Sequence, residues 1–275
     1  MILSKIKKHF SLFLIRLKQN RTLQQMYSEN DNSLRIIIQA FNSLKTHSFE
    51  SEDIIVFSNR NQYRKSLLIN NKPITYSIFK SNKVMLVKDI YKKAASSSIW
   101  CQFLYLITKE IESPFVLEIG TNLGVSGGYF LEALKDKKNS YFVTMEGLKE
   151  LCDIASNEFK NITNNQKYKI HQGLYESTFP KLLEDSIDFN IIFLDGNHSE
   201  KATIYYFDTL KSKLIKPTII ILDDINWSQE MKNAWRIIKG DEMVSYSIDF
   251  HKIGIIIINK EMARSSSHYS LHLSY

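Results

Sequence analysis

The sequence predicts an α/β protein: a doubly wound, mostly parallel sheet of seven strands closed by an antiparallel strand, with an N-terminal helical extension. Three observations predict it. From Phe115 onward, short apolar runs alternate with amphipathic stretches of helical length. The first run leads into a glycine-bearing turn, Glu118-Ile119-Gly120-Thr121-Asn122-Leu123-Gly124. Later runs end in acids: Glu146, Asp195 and the pair Asp223-Asp224. Alternating strands and helices build a parallel sheet covered on both faces, and such sheets bind ligands beyond the carboxyl ends of their strands.

The elements follow in order. Ile2, Leu3, Ile6, Phe10, Phe13, Leu14 and Leu17 recur at helical spacing, with Lys5, Lys7, Lys8, Arg16, Lys18 and Arg21 clustered nearby. Such a basic amphipathic helix packs on its own domain or lies on an anionic membrane surface; the first is the simpler expectation, and residues 1–20 are kept as a peripheral membrane contact. A second helix is expected over Ser33 to Leu44. Ile54 to Phe57 and Ile74 to Phe79 read as short strands separated by an Asn70-Asn71-Lys72-Pro73 turn, and Val87 to Ile111 as one helix. The strands expected of the sheet are Phe115–Ile119, Tyr141–Met145, Tyr168–His171, Asn190–Leu194, Thr218–Leu222 and a closing antiparallel pair, Val244–Asp249 with Gly254–Asn259. Between them fall helices over Val125–Leu134, Lys149–Asn161, Ser199–Leu214 and Ser228–Ile238. The expected organisation is an extension over 1–86, a catalytic-type domain over 87–260 and a flexible C-terminal tail over 261–275.

Composition narrows the class. An apolar fraction of 44% supplies a packed core over 275 residues, which excludes wholesale disorder. Cys101 and Cys152 are the only cysteines, both in apolar helical stretches, so they read as reduced, buried thiols without zinc spacing. Neither a secretory signal pattern nor a spanning apolar segment is visible, so the expected location is cytoplasmic, peripheral to a membrane at most. The formal charge of +7 comes from scattered lysines without an RNP, KH or basic-zipper pattern, so nucleic acid is not the expected partner. A basic surface also suits an anionic small molecule or glycan.

The chemistry resides at the strand ends. Gly120 and Gly124 allow close backbone approach, and the helix start beyond them offers free N–H groups. The turn lacks the paired glycines of a dinucleotide fingerprint, and a carboxylate at Glu118 repels a pyrophosphate but suits a cationic amine. Glu146, followed by Gly147, falls where an acid accepts both hydroxyls of a ribose. Phe193-Leu194-Asp195-Gly196-Asn197-His198 and Ile221-Leu222-Asp223-Asp224-Ile225-Asn226-Trp227 each end a strand in acid. Asp195, Asp223 and Asp224 read either as ligands of a hard divalent cation such as Mg²⁺ or as helix caps. His198 reads as a general base or as a plain helix-start residue. Trp227 and Trp235 line a pocket or fill the core.

The E-x-G-x-x-x-G turn resembles motif I of class I S-adenosylmethionine-dependent methyltransferases, which have a Rossmann-like sheet. The acids after the later strands make the likeness specific to the catechol- and macrocin-type O-methyltransferases. A closer resemblance, from about Tyr63 to Ile258, is to a Bacteroidetes-type group of bacterial methyltransferase-like proteins. It rests on the Glu118 turn, Met145-Glu146-Gly147, Leu194-Asp195-Gly196-Asn197-His198 and Asp223-Asp224-Ile225-Asn226-Trp227-Ser228-Gln229-Glu230-Met231. The resemblance implies S-adenosylmethionine held by Glu118, Gly120, Thr121, Asn122, Gly124, Ser126, Glu146, Gly147, Gly173 and Asp195. Within it, Glu118 faces the methionine amino group and Ser126 its carboxylate, and Gly173 lies near the adenine. It further implies a divalent cation on Asp195, Asp223 and Asp224, His198 as catalytic base, and a small-molecule or glycan hydroxyl as acceptor. A homo-oligomer is kept as a separate expectation that the sequence does not decide. This sequence departs from the group at Tyr76-Ser77-Ile78-Phe79-Lys80-Ser81, where a D-x-G-A-G-S loop is usual. That departure supports a rival reading, a non-catalytic binding or scaffold protein on the same fold.

Overall fold

Helices α1 (Ile2–Ser28), α2 (Asn32–Thr46) and α3 (Ser51–Leu68) open the chain in a computed structural model that describes residues 2–79, 81–184, 188–261 and 266–273, with side chains from residue 9 onward. A small antiparallel ribbon follows, β1 (Pro73–Thr75) with β2 (Val84–Leu86), around a single 3-10 turn at Ser77–Phe79. Then come α4 (Val87–Ala94), α5 (Ser98–Lys109), β3 (Phe115–Ile119), α6 (Val125–Leu134), β4 (Tyr141–Glu146), α7 (Lys149–Ile162), β5 (Tyr168–Gln172) and α8 (Tyr175–Leu182). The remainder is β6 (Ile191–Leu194), α9 (Glu200–Lys213), β7 (Thr218–Leu222), α10 (Gln229–Lys239), β8 (Tyr246–Asp249), β9 (Gly254–Ile258) and β10 (Ser267–Ser270).

The chain divides into two units, residues 46–189 and residues 1–45 with 190–275. This division differs from the boundaries expected at 86 and 260: the first two helices join the C-terminal strands. In the 46–189 unit, β3, β4 and β5 lie side by side and parallel, with Glu118 opposite Thr144 and Ile119 opposite Met145. Val116, Leu117, Phe142 and Val143 are fully buried, as expected of strands covered on both faces. In the other unit the strand order is β10-β8-β9-β7-β6. There β6 and β7 are parallel, and β9 runs antiparallel to both β7 and β8.

All seven expected strands form, with ends that differ by no more than two residues. Other expectations are corrected. Ile54 to Phe57 lies inside helix α3, where Ile54 and Ile55 are exposed while Val56 and Phe57 are buried. The Asp53 carboxylate accepts from the Glu50 N–H at 3.0 Å, which fixes the helix start upstream of that apolar run. The single helix expected over Val87–Ile111 breaks at Ala95–Ser97, where the Ser96 carbonyl accepts from Arg64 Nη2 at 2.8 Å. Helix α8 was not expected. The tail beyond 265 contains β10, parallel to β8, with Leu271, His272 and Leu273 buried.

Helix α1 packs by a different face from the one its periodicity suggests. Leu12 and Met26 are buried, while Phe10, Phe13, Leu14 and Leu17 face solvent; the side chains of Ile2, Leu3, Ile6, Lys5, Lys7 and Lys8 lie outside the described residues. Its inner face is tied to the chain end, since Arg16 Nε donates to His272 Nδ1 at 3.1 Å and Gln19 Oε1 accepts from the His272 N–H. Burial, with Arg16 and Lys45 nearby, pushes the His272 pKa down to about 4, so its ring is a neutral acceptor.

Arg60 joins three helices of the 46–189 unit. On α3, it places Nη1 2.8 Å from Glu158 Oε1 of α7 and Nε 3.1 Å from Glu132 Oε1 of α6. Gly128 leaves room for it, since a Cβ there would lie 2.8 Å from Arg60 Nη1. Arg60→Ala strands Glu132 with only Lys135 as a partner and is expected to cost about 3 kcal/mol in chemical denaturation; a loss below about 1 kcal/mol would show that the triad does not hold α3.

Candidate functional site

Two carboxylates end neighbouring strands of the 46–189 unit. Glu118 is fully buried below the turn. It accepts a short hydrogen bond from Ser126 Oγ at the start of α6 and another at 2.7 Å from Thr144 Oγ1 on β4. Thr121 Oγ1 lies 2.6 Å from Thr144 Oγ1 and completes the cluster. Burial raises the Glu118 pKa to about 7 despite the two hydroxyl donors, with Glu146 adding to the rise. Glu118 and Ser126, expected to hold opposite charged groups of one ligand, therefore bond to each other.

The turn itself is tight. Gly120 N–H and Thr121 N–H both donate to the Met145 carbonyl, and Gly124 N–H donates to the Thr121 carbonyl at 2.8 Å. Gly120 and Gly124 have φ of 115° and 70°, which favour glycine. At Gly124 the cause is packing: a Cβ would meet Ala155 Cβ and Phe159 Cε1 of α7 at 2.9 Å. Asn122 also has a left-handed backbone, and its Oδ1 is buried without a hydrogen-bond partner.

Glu146 is nearly buried and held by the backbone. Its Oε2 accepts from Asn122 N–H and its Oε1 from Leu148 N–H, both at 2.9 Å. Burial raises its pKa, opposed by these N–H groups. Each oxygen retains lone-pair capacity for a ligand hydroxyl. Beyond it, Gly173 N–H donates to the Glu146 carbonyl at 2.8 Å, and Gln172 Nε2 donates to the Gly147 carbonyl. Gly173 has φ 142°, and a Cβ there would lie 3.0 Å from Thr178 Cγ2.

The loop that carries Tyr76 and Phe79 reaches this acid. A Cβ on Gly147 would lie 3.2 Å from Phe79 Cζ, and the Tyr76 and Phe79 rings are 6.3 Å apart. Burial and the charge of Glu146 raise the Tyr76 pKa. Lys80 lies outside the described residues. Nothing in the local sequence pattern announced that these aromatics stand at the end of β4.

In the other unit, Asp195 follows β6 and His198 Nε2 lies 3.5 Å from Asp195 Oδ1. The His198 ring is 5.9 Å from that of Trp227, which is exposed. Trp235 is core: it is buried, its Nε1 donates to Asp249 Oδ2 at 3.0 Å, and its ring fills the space above Gly254. The capping expectation for Asp195 and Asp224 is corrected, because Ser199 and Ser228 cap α9 and α10 through their side chains.

The metal expectation also meets a difficulty. Among the described residues no group of three His, Cys, Asp or Glu side chains is placed to hold a metal ion. Instead the ammonium of Lys252, in the β8–β9 turn, lies 3.0 Å from Asp223 Oδ2 and bonds Asp224 Oδ1. Burial opposes its charge, but Asp223 and Asp224 outweigh it and raise the Lys252 pKa. One ammonium thus occupies the place between the two carboxylates and offsets part of their charge, and the residues do not fit the metal assigned to them. Lys252 gave no sequence signal, being a lone lysine nearly thirty positions downstream.

Residues 117–225 match a family model described as a methyltransferase domain. No curated protein matches the chain. Among solved structures, the O-methyltransferase from Bacillus cereus in complex with SAH is similar at 19% identity and TM-score 0.52, over 72% of this chain and 96% of that one. The SAH-bound Podospora anserina methyltransferase PaMTH1 is similar at 16% identity and TM-score 0.54, over 74% and 96%. The SAM complex of the O-methyltransferase TomG from Streptomyces achromogenes is similar at 17% and 0.50, over 60% and 82%. These likenesses show the fold, a Rossmann-like α/β sheet with N-terminal helices.

Two measurements follow. The Glu118 proton is bound more tightly in the folded state than at the ordinary value of 4.5, so folding loses stability as pH rises from 4.5 to about 7. Glu118→Gln is expected to match the wild type below pH 4.5 and to gain up to about 3 kcal/mol on it above pH 7, read from denaturant midpoints; a pH-independent difference contradicts the shift. Mn²⁺ titration followed by electron paramagnetic resonance is expected to show no site in the wild type and a site in Lys252→Ala, with Asp223 and Asp224 freed; Mn²⁺ bound by the wild type would restore the metal.

Proposed function

We propose that the chain is an S-adenosylmethionine-dependent methyltransferase acting on a hydroxyl of a small molecule or glycan. The observation that carries this reading is Glu146: a nearly buried carboxylate at the end of the second parallel strand, aimed by two backbone N–H groups, with capacity for two further donors. A ribose diol supplies two such donors. The matched family model and the SAM- and SAH-bound neighbours support it.

Bound there, S-adenosylmethionine supplies an activated methyl group on a sulfonium centre. Residues of this chain do the rest. Glu146 and Gly147 hold the ribose end, and Gly173 keeps the adjoining turn open. Gly120, Thr121 and Asn122 form the wall of the turn, and the unpartnered Asn122 Oδ1 is an acceptor available to an ammonium group. Glu118 lies beneath this wall, where a cationic ligand favours its ionised form. Ser126 fixes the Glu118 carboxylate. Tyr76 and Phe79 shield the nucleoside end from water.

In the other unit, His198, whose Nε2 lies 3.5 Å from Asp195 Oδ1, is assigned the role of general base. Trp227 offers a flat apolar surface beside it. Because the cofactor would supply its methyl already activated, positioning would be the protein's main contribution. Lys252 takes the charge-neutralising place at Asp223 and Asp224, so no step is assigned to a metal.

Calorimetry with S-adenosylhomocysteine tests the reading. The wild type is expected to bind, and Glu146→Ala to weaken binding at least a hundredfold, about 3 kcal/mol for two lost charge-assisted hydrogen bonds. NADH binding with none of S-adenosylhomocysteine would overturn it, and binding without turnover of any hydroxyl acceptor would favour the scaffold reading.

A further inference from the structure

We infer that helix α1 docks the protein on an anionic lipid surface through the face it turns away from the fold. This inference is independent of the methyltransferase reading. Phe10, Phe13, Leu14 and Leu17 are 62%, 55%, 39% and 66% exposed. Their spacing of three, four and seven places them on one stripe, and Arg21 continues it one turn further. The buried residues Leu12 and Met26, with half-buried Ile15 and Gln19 between them, occupy the opposite face. The helix is therefore apolar on two sides, and only one is used by the fold. Four large apolar side chains in one exposed stripe mark an interaction surface.

Charge selects the occupant. Helix α1 contains six Lys and Arg residues and no acid. Lys18 flanks the stripe and Arg21 extends it, and both are exposed. A helix that buries Phe and Leu to a shallow depth and surrounds them with cations matches the boundary between acyl chains and anionic headgroups. Beside the stripe, a groove of about 260 Å³ between α1 and β10 is lined by Leu14 of the stripe and by Lys18, Thr22, Gln25 and Ser270, which offer a cation and polar groups to a headgroup. No described helix is long and apolar enough to cross a membrane, so the contact is made along the surface.

The test is co-sedimentation of the full chain with phosphatidylcholine vesicles, with and without phosphatidylglycerol. The protein is expected to sediment with the anionic vesicles, to stay in solution with the neutral ones, and to be released as salt shortens the screening length from about 10 Å at 0.1 M to about 3 Å at 1 M. Phe13→Gln with Leu17→Gln, both exposed and helix-compatible, is expected to lower the partition coefficient at least about tenfold without shifting the melting temperature. Lys18→Gln with Arg21→Gln is expected to reduce binding to anionic vesicles only. Absence of sedimentation overturns the inference, as does equal binding to neutral vesicles. So does a wild-type dimer that the Phe13/Leu17 variant dissociates, which would give the stripe to a second copy of the chain.

Discussion

The register of β3 and β4 is the constraint on which the site depends. Parallel pairing sets Glu118 opposite Thr144 and Ile119 opposite Met145. The Met145 carbonyl can then accept two N–H groups of the turn, and Asn122 N–H reaches the Glu146 carboxylate. A shift of β4 by one residue would turn Glu146 to the other face and break both links. Two buried acids, a threonine pair and the first turn of α6 are thus fixed by one strand pairing. Gly124 adds the second condition, since its missing side chain lets α7 approach the turn closely enough to hold it shut.

The parallel strands were legible because both of their faces are buried, leaving continuous apolar runs such as Thr218–Leu222 that end at acids or glycines. The acids at Glu146, Asp195 and Asp223 were legible for the same reason, as the first polar residues after such runs. What failed to read did so by tertiary causes. Ile54-Ile55-Val56-Phe57 is an apolar run that the Asp53 cap places within a helix, so half of it faces solvent. Strand β10 carries Ser, His and Tyr, and its place is set by pairing with β8 and by the contact of its end with α1. Lys252 meets Asp223 and Asp224 only because the β8–β9 turn folds back, and sequence distance conceals that.

Lys252 also shows how one arrangement of acids admits two solutions. Adjacent carboxylates repel, and a divalent cation or an ammonium relieves the repulsion. A cation brings ligand exchange and Lewis acidity; an ammonium brings a fixed charge, three donors and no exchange. Because Asp223 is nearly buried, removing its partner is more costly than the pair itself is stabilising. The left-handed backbone of Asp224 and the Asn226 hydrogen bond to the His251 carbonyl lock the two turns together, so the ammonium is held in place by the backbone on both sides.

The choice between an enzyme and a scaffold that kept its fold turns on cost. Burial raises the pKa of both Glu118 and Glu146, so each ionised carboxylate lowers the stability of the unliganded chain at neutral pH. Replacing either acid with Gln or an apolar residue would stabilise the unliganded chain, and the usual cost of such a substitution is lost function. This chain carries both acids, with their donors Ser126, Thr144, Asn122 and Leu148 in place and an acceptor at Asn122 left unsatisfied. Destabilising charge that is aimed and kept open is the mark of a site awaiting a ligand that offsets it. Tyr76 and Phe79 stand at the end of β4 beside these acids, so the loop that carries them shapes the approach to Glu146.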